Sequence, residues 1–97
     1  MPTYITLLSY TQKGIENIKD APSRLDNAKK VFHEMGAEIK AFYLVMGQYD
    51  AVVIAESPDD ETIARVALTT SSRGDIHTET LRAFTEEEYR RIVDKLP

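Results

Sequence analysis

The chain has 97 residues, a formal net charge of −4 and a pI near 5.1, with 42% hydrophobic and 29% charged residues. That is one domain of ordinary globular composition; it excludes a disordered chain, and the scattered basic residues of an acidic protein disfavour a nucleic-acid partner. With no cysteine there is no disulfide framework and no thiolate site, and no apolar run approaches the roughly 20 residues of a membrane helix, so a cytoplasmic protein without membrane contacts is expected.

The N-terminus, Met1-Pro2-Thr3-Tyr4, lacks a basic leader and enters a strand pattern at once, which does not read as a signal peptide. Thr3 to Tyr10 alternates loosely, Ile5 and Leu7 on one side and Tyr4, Thr6, Leu8 and Tyr10 on the other, so both faces of this strand carry apolar groups. Thr11-Gln12-Lys13-Gly14 breaks the pattern, leaving room for a short helical turn before Pro22. Ser23-Arg24-Leu25-Asp26 has the form of a capping box; Leu25, Ala28, Phe32 and Met35 follow at helical spacing, and Gly36 stops the helix.

Residues 38–46 return to period two, Ile39, Ala41, Tyr43 and Val45 against Lys40, Phe42, Leu44 and Met46. Gly47-Gln48-Tyr49 reverses the chain, and residues 50–56 form a third strand in which Val53 and Ala55 oppose Val52 and Ile54. Ser57-Pro58-Asp59-Asp60 starts a second helix, with Ser57 as N-cap, Pro58 at the first position and Ile63, Ala64, Ala67 and Leu68 as the apolar stripe. Residues 75–83 make a fourth strand. Thr85-Glu86-Glu87-Glu88 then opens a short C-terminal helix with Ile92, Val93 and Leu96 along one side.

Strand, helix, strand, strand, helix, strand and a closing helix is the order of an α+β, ferredoxin-like βαββαβ sandwich: one domain over residues 1–97, an antiparallel four-stranded sheet, both main helices on one face. The other face must also leave water. A homodimer packed sheet to sheet is therefore expected, with Tyr4, Thr6, Leu8, Tyr10 and Tyr43 as interface candidates and a pocket where the sheets meet.

Gly47-Gln48-Tyr49-Asp50 is the one compact cluster of glycine, aromatic ring and carboxylate. Taken with Met1-Pro2-Thr3-Tyr4, Thr11 with Gly14, Arg24, Pro58-Asp59 and Thr80-Leu81-Arg82-Ala83-Phe84, it resembles the GYD domain family, small bacterial proteins named for a Gly-x-Tyr-Asp signature, over nearly the whole chain. The resemblance implies a ferredoxin-like fold related to the dimeric α/β barrels and an oligomer built on paired sheets. It implies no established reaction, cofactor or catalytic residue.

The residues themselves leave several uses open. Gly47 suits a positive φ, Asp50 can accept backbone N–H groups in the turn, and Tyr49 can lie over the sheet edge; alternatively Tyr49 and Asp50 line a ligand site, with Asp50 as a general base. His77 and Glu79 share one side of the fourth strand, whereas Thr80 and Arg82 share the other. Arg82 offers a fork for a carboxylate or phosphate beside the Thr80 hydroxyl, or an ion pair with Asp50 or Glu56. His33 stands alone on a helix, so no metal set is spelled out, and no cofactor is predicted.

The leading expectation is thus an oligomeric protein that binds a small ligand or a protein partner. A cofactor-independent monooxygenase or isomerase with Tyr49, Asp50, His77 and Arg82 around an apolar pocket is the alternative, and a haem or metal binder through His77 is a third, both by analogy of fold.

Overall fold

In the computed structural model, which describes residues 1–97, strand β1 (Thr3–Tyr10) runs through the middle of the sheet, antiparallel to β3 (Ala51–Glu56) on one side and to β4 (Ile76–Ala83) on the other. Strand β2 (Glu38–Leu44) pairs antiparallel with β3, giving the order β2-β3-β1-β4. Helices α2 (Ala21–Glu34) and α3 (Asp60–Ser71) make the two crossovers of a ferredoxin-like βαββαβ sandwich. A short helix α1 (Gln12–Glu16) and a 3-10 turn (Ile18–Asp20) fill the first connection, and α4 (Glu86–Asp94) follows the sheet.

Helix starts follow local hydrogen bonding more than residue type. Helix α2 begins at Ala21, so Pro22 lies in its first turn and Ser23 is inside it rather than capping it. At α3 the cap is Asp59, not Ser57: the Asp59 carboxylate accepts the Thr62 N–H at 2.8 Å, while the fully buried Ser57 donates its hydroxyl to the Asp59 carbonyl at 3.0 Å. Pro58 accordingly stands before the helix. The bonds to Thr62 hold the Asp59 carboxyl below the usual carboxylate range. Its folded value is depressed, so its contribution is present at neutral pH and fades as pH falls through that value. Asp59→Ala should lower the melting temperature by several degrees at neutral pH and by less in acid, read from paired thermal melts. The capping box at α4 forms as expected, Thr85 and Glu88 bonding each other's backbone N–H at 2.9 and 3.2 Å.

The core lies between the helices and one face of the sheet: Tyr4 and Leu8 of β1, Ala51, Val53 and Ala55 of β3, Phe32 of α2, and Ile63 and Val66 of α3. Small alanines on β3 leave room for the large groups of β1. This corrects the expected interface. Tyr4, Thr6 and Leu8 are buried beneath the helices, and Tyr10 packs against the same cluster, so the β1 set assigned to a partner belongs to the core. On α3, Val66 takes the buried position expected of Ala64 and Leu68, which are exposed.

A bulge in β2 settles a second ambiguity. Ile39 pairs with Ala55 but Ala41 pairs with Ile54, so Lys40 is the extra residue and Ile39 joins Phe42 on the helix side. Ala41 and Tyr43 are left on the open side. Strict alternation places Ile39 with them.

Candidate functional site

The open face of the sheet is built from the residues that the core does not use. Register places Ile5 beside Ile54 and Leu81, and Leu7 beside Val52 and Glu79, with Tyr43 opposite Val52 and His77 opposite Ser9. Ile5, Leu7, Val52 and Ile54 are half-buried, whereas Leu81 and Tyr43 are exposed. Tyr49 leaves the β2–β3 loop and donates its hydroxyl to the Glu79 carboxylate at 2.5 Å, a bond that raises its phenol above the ordinary tyrosine value. The face is therefore an apolar floor with a Tyr49–Glu79 pair and His77 along the β4 side. Of the expected interface set, Tyr43 alone lies on it.

The five expected pocket residues do not share one cavity. Tyr49 and His77 belong to the open side. Thr80 and Arg82 belong to the helix side, because they pair with Thr6 and Tyr4. The Thr80 hydroxyl lies 3.0 Å from that of Thr6. Arg82 forms no ion pair with Asp50 or Glu56; its guanidinium stacks 4.4 Å over the Phe84 ring and 5.6 Å over the Tyr4 ring and donates to the Thr3 and Ala83 carbonyls.

Asp50 is a backbone fastener. Its carboxylate accepts the Tyr10 N–H at 2.9 Å, its N–H donates to the Leu8 carbonyl at 2.9 Å, and its carbonyl accepts from Val45 at 2.9 Å. The first two bonds tie the loop to β1, and the third closes the turn. That turn, between β2 and β3, needs Gly47, whose φ of +137° few L-residues adopt. No group of three His, Asp or Glu side chains converges as metal ligands would.

Tyr4, once removed from the interface, acquires a different use. Its hydroxyl donates to Asp60 in the first turn of α3 at 2.5 Å, and burial, with that bond, pushes the phenol up to about 12. In the unfolded chain the value is about 10, so the protein is stabilised fully below about pH 10 and loses that stabilisation as pH rises toward about 12. Denaturant titrations at about pH 9 and about pH 11 should show an alkaline loss in the wild type that is smaller in Tyr4→Phe.

A second surface has no predicted counterpart in the pocket set. Helix α4 buries no residue, and Tyr89, Ile92, Val93 and Leu96 are 61, 46, 43 and 64% exposed. Its periodic stripe is visible in the sequence. What the stripe meets is not, because nothing else in the chain packs against it closely.

The family model of the GYD domain matches residues 4–93. A Thermus thermophilus protein named as a glutamine synthetase and cystathionine beta-lyase binding protein is 37% identical over 85 residues, 87% of this chain and 90% of that protein. Among solved structures, the feast or famine regulatory protein of Mycobacterium tuberculosis superposes with a TM-score of 0.67 at 12% identity, covering 88% of this chain and 51% of that one. The chain thus spans about half the length of that regulator. A Thermus thermophilus protein of known structure superposes with a TM-score of 0.57 at 24% identity, covering 88% of this chain and 95% of that one. Both structures share the fold.

Proposed function

The chain belongs to the GYD domain family, and we propose that it is a homodimeric protein-binding module whose two copies join through their open sheet faces and present α4 to other proteins. The observation that carries this reading is surplus surface. A compact monomer of 11.0 kDa exposes about 5,600 Å². This chain exposes 6652 Å², with only 13 of 97 residues buried. The surplus of roughly 1,000 Å² is of the size that one partner contributes to a standard interface, about 800 Å².

Shape agrees with area. The radius of gyration is 14.6 Å against about 12.5 Å for a compact domain of this length. Pairing the open faces would cover Ile5, Leu7, Val52 and Ile54 and would leave each α4 stripe for another occupant. The Thermus thermophilus relative is named for binding two metabolic enzymes, so glutamine synthetase and cystathionine β-lyase are the first partners to test.

The test couples assembly mass to partner binding. Native mass spectrometry should give a dimer, and immobilised glutamine synthetase or cystathionine β-lyase should retain it. Ile92→Glu should weaken retention about tenfold or more without changing the dimer mass, because a charge replaces an apolar contact at the centre of the stripe. A chain that is monomeric at micromolar concentration overturns the dimer, and undiminished retention of the variant removes α4 from the docking surface.

A further inference from the structure

Beneath α2, on the opposite side of the sheet from the proposed dimer face, lies a cavity of about 100 Å³. Leu25, Ala28 and Phe32 of α2 form one wall, and Leu8, Phe42 and Ile76 of three strands form the other. A well-packed core of this size seldom leaves room for more than a water or two, and an apolar void forgoes the dispersion contacts that its lining would otherwise make. Ala28 keeps it open. A larger side chain there would point into the space.

The cavity is not closed. It shares Arg24, Ala28, Thr70 and Ile76 with a polar recess of about 60 Å³ that Arg73 and Asp75 complete. Arg24 is held in place by the carbonyls of Asn17 at 2.9 Å and Gly14 at 3.4 Å, with its Nε 3.8 Å from the Asp75 carboxylate. That pair is charge-balanced. Arg73 adds a second guanidinium, which rests against the side-chain amide of Asn27 and has no carboxylate partner among the ion pairs. The rim therefore carries two planar cations against one anion, at the mouth of an apolar space.

We propose that this cavity binds a small amphipathic carboxylate, its apolar body between α2 and the sheet and its head on the Arg73 and Arg24 guanidinium groups. The body is limited to about six carbons, near the size of a benzene ring in an apolar cavity. The head is an anion because a planar fork matches a carboxylate with two parallel bonds, an ammonium would meet two like charges, and an alcohol would gain the apolar part alone. None of these residues lies on the open face or on α4, so the site stands or falls separately from the protein-binding reading.

Hexanoate and phenylacetate are the probes, titrated into the 97-residue chain and followed by amide and methyl NMR, with hexanol and hexylamine as head-group controls. Saturable shifts should centre on Leu25, Ala28, Phe42 and Ile76, with hexanoate bound about tenfold or more tighter than hexanol. Ala28→Leu, which fills the space, should abolish binding while keeping or raising the melting temperature. Arg73→Gln alters only an exposed side chain and should bring hexanoate down to the level of hexanol; it keeps the test decisive if Ala28→Leu misfolds. No saturable shift by about 10 mM, shifts mapping to the open sheet face, or equal binding of hexanol and hexanoate overturns the proposal.

Discussion

Gly14→Ala is expected to destabilise the protein by about 3 kcal/mol, lowering the melting temperature by roughly 10–20 °C, although alanine is the better helix former. Gly14 lies inside α1 and is buried, and a Cβ built on it would overlap the Asp75 carbonyl oxygen and sit 3.2 Å from its carbon. The obstacle is backbone, so it cannot rotate away. Relief requires α1 to move from the start of β4, and that junction is already bonded: Thr11 donates its N–H to the Asp75 carbonyl at 3.0 Å and its hydroxyl to the Gly74 carbonyl at 2.6 Å, and Lys13 reaches the Arg73 carbonyl at 2.7 Å. Urea titration of the two proteins checks the expectation. A gain of the few tenths to 1 kcal/mol that alanine confers in an open helix would show that α1 and β4 approach less closely than these distances require.

Gly14 also marks what pattern reading misses. The Thr11 and Gly14 spacing is visible in the sequence, where the glycine reads as a turn residue like the others. Its distinctive requirement arises from Asp75, just before β4 and more than sixty positions later in the chain, which no local window contains. The order of elements is legible because each has its own period, and the last helix also has its own cap at Thr85 and Glu88. Facing is not legible, because β1 offers an apolar residue at almost every position. Tyr4 resolves to the inside only once its hydroxyl finds Asp60, and Ile39 only once the Lys40 bulge shifts β2 by one residue. Asp50 is readable as a turn residue from its place in the Gly47-Gln48-Tyr49-Asp50 cluster, but its carboxylate accepts the Tyr10 N–H of β1 rather than an N–H of the turn, a partner that no local window contains. The Arg24, Asp75 and Arg73 rim has no signature, since α2 and the segment before β4 meet only in the folded chain.

Leu7→Glu and Leu8→Glu, one residue apart, should give opposite results. Leu7 is half-buried on the open face, paired with Val52 and beside Glu79. A carboxylate there costs the folded protomer little, because water can reach it. In the proposed dimer it would be desolvated at the centre of an apolar patch next to a like charge, weakening association by about a hundredfold or more. Sedimentation velocity should then find a folded monomer with wild-type far-UV dichroism. Leu8 is 7% exposed, within the cluster that includes Phe32 and Val53. An unpaired carboxylate at that position costs about 4 kcal/mol or more, a large part of the roughly 5–15 kcal/mol that stabilises a typical domain, so the variant should be largely unfolded or should melt far below the wild type. The pair of outcomes separates layering from assembly. A folded, monomeric Leu8→Glu alongside an unfolded Leu7→Glu would reverse the two faces of the sheet, whereas a dimeric Leu7→Glu would keep the faces as described and move the association elsewhere, with α4 the next surface to alter.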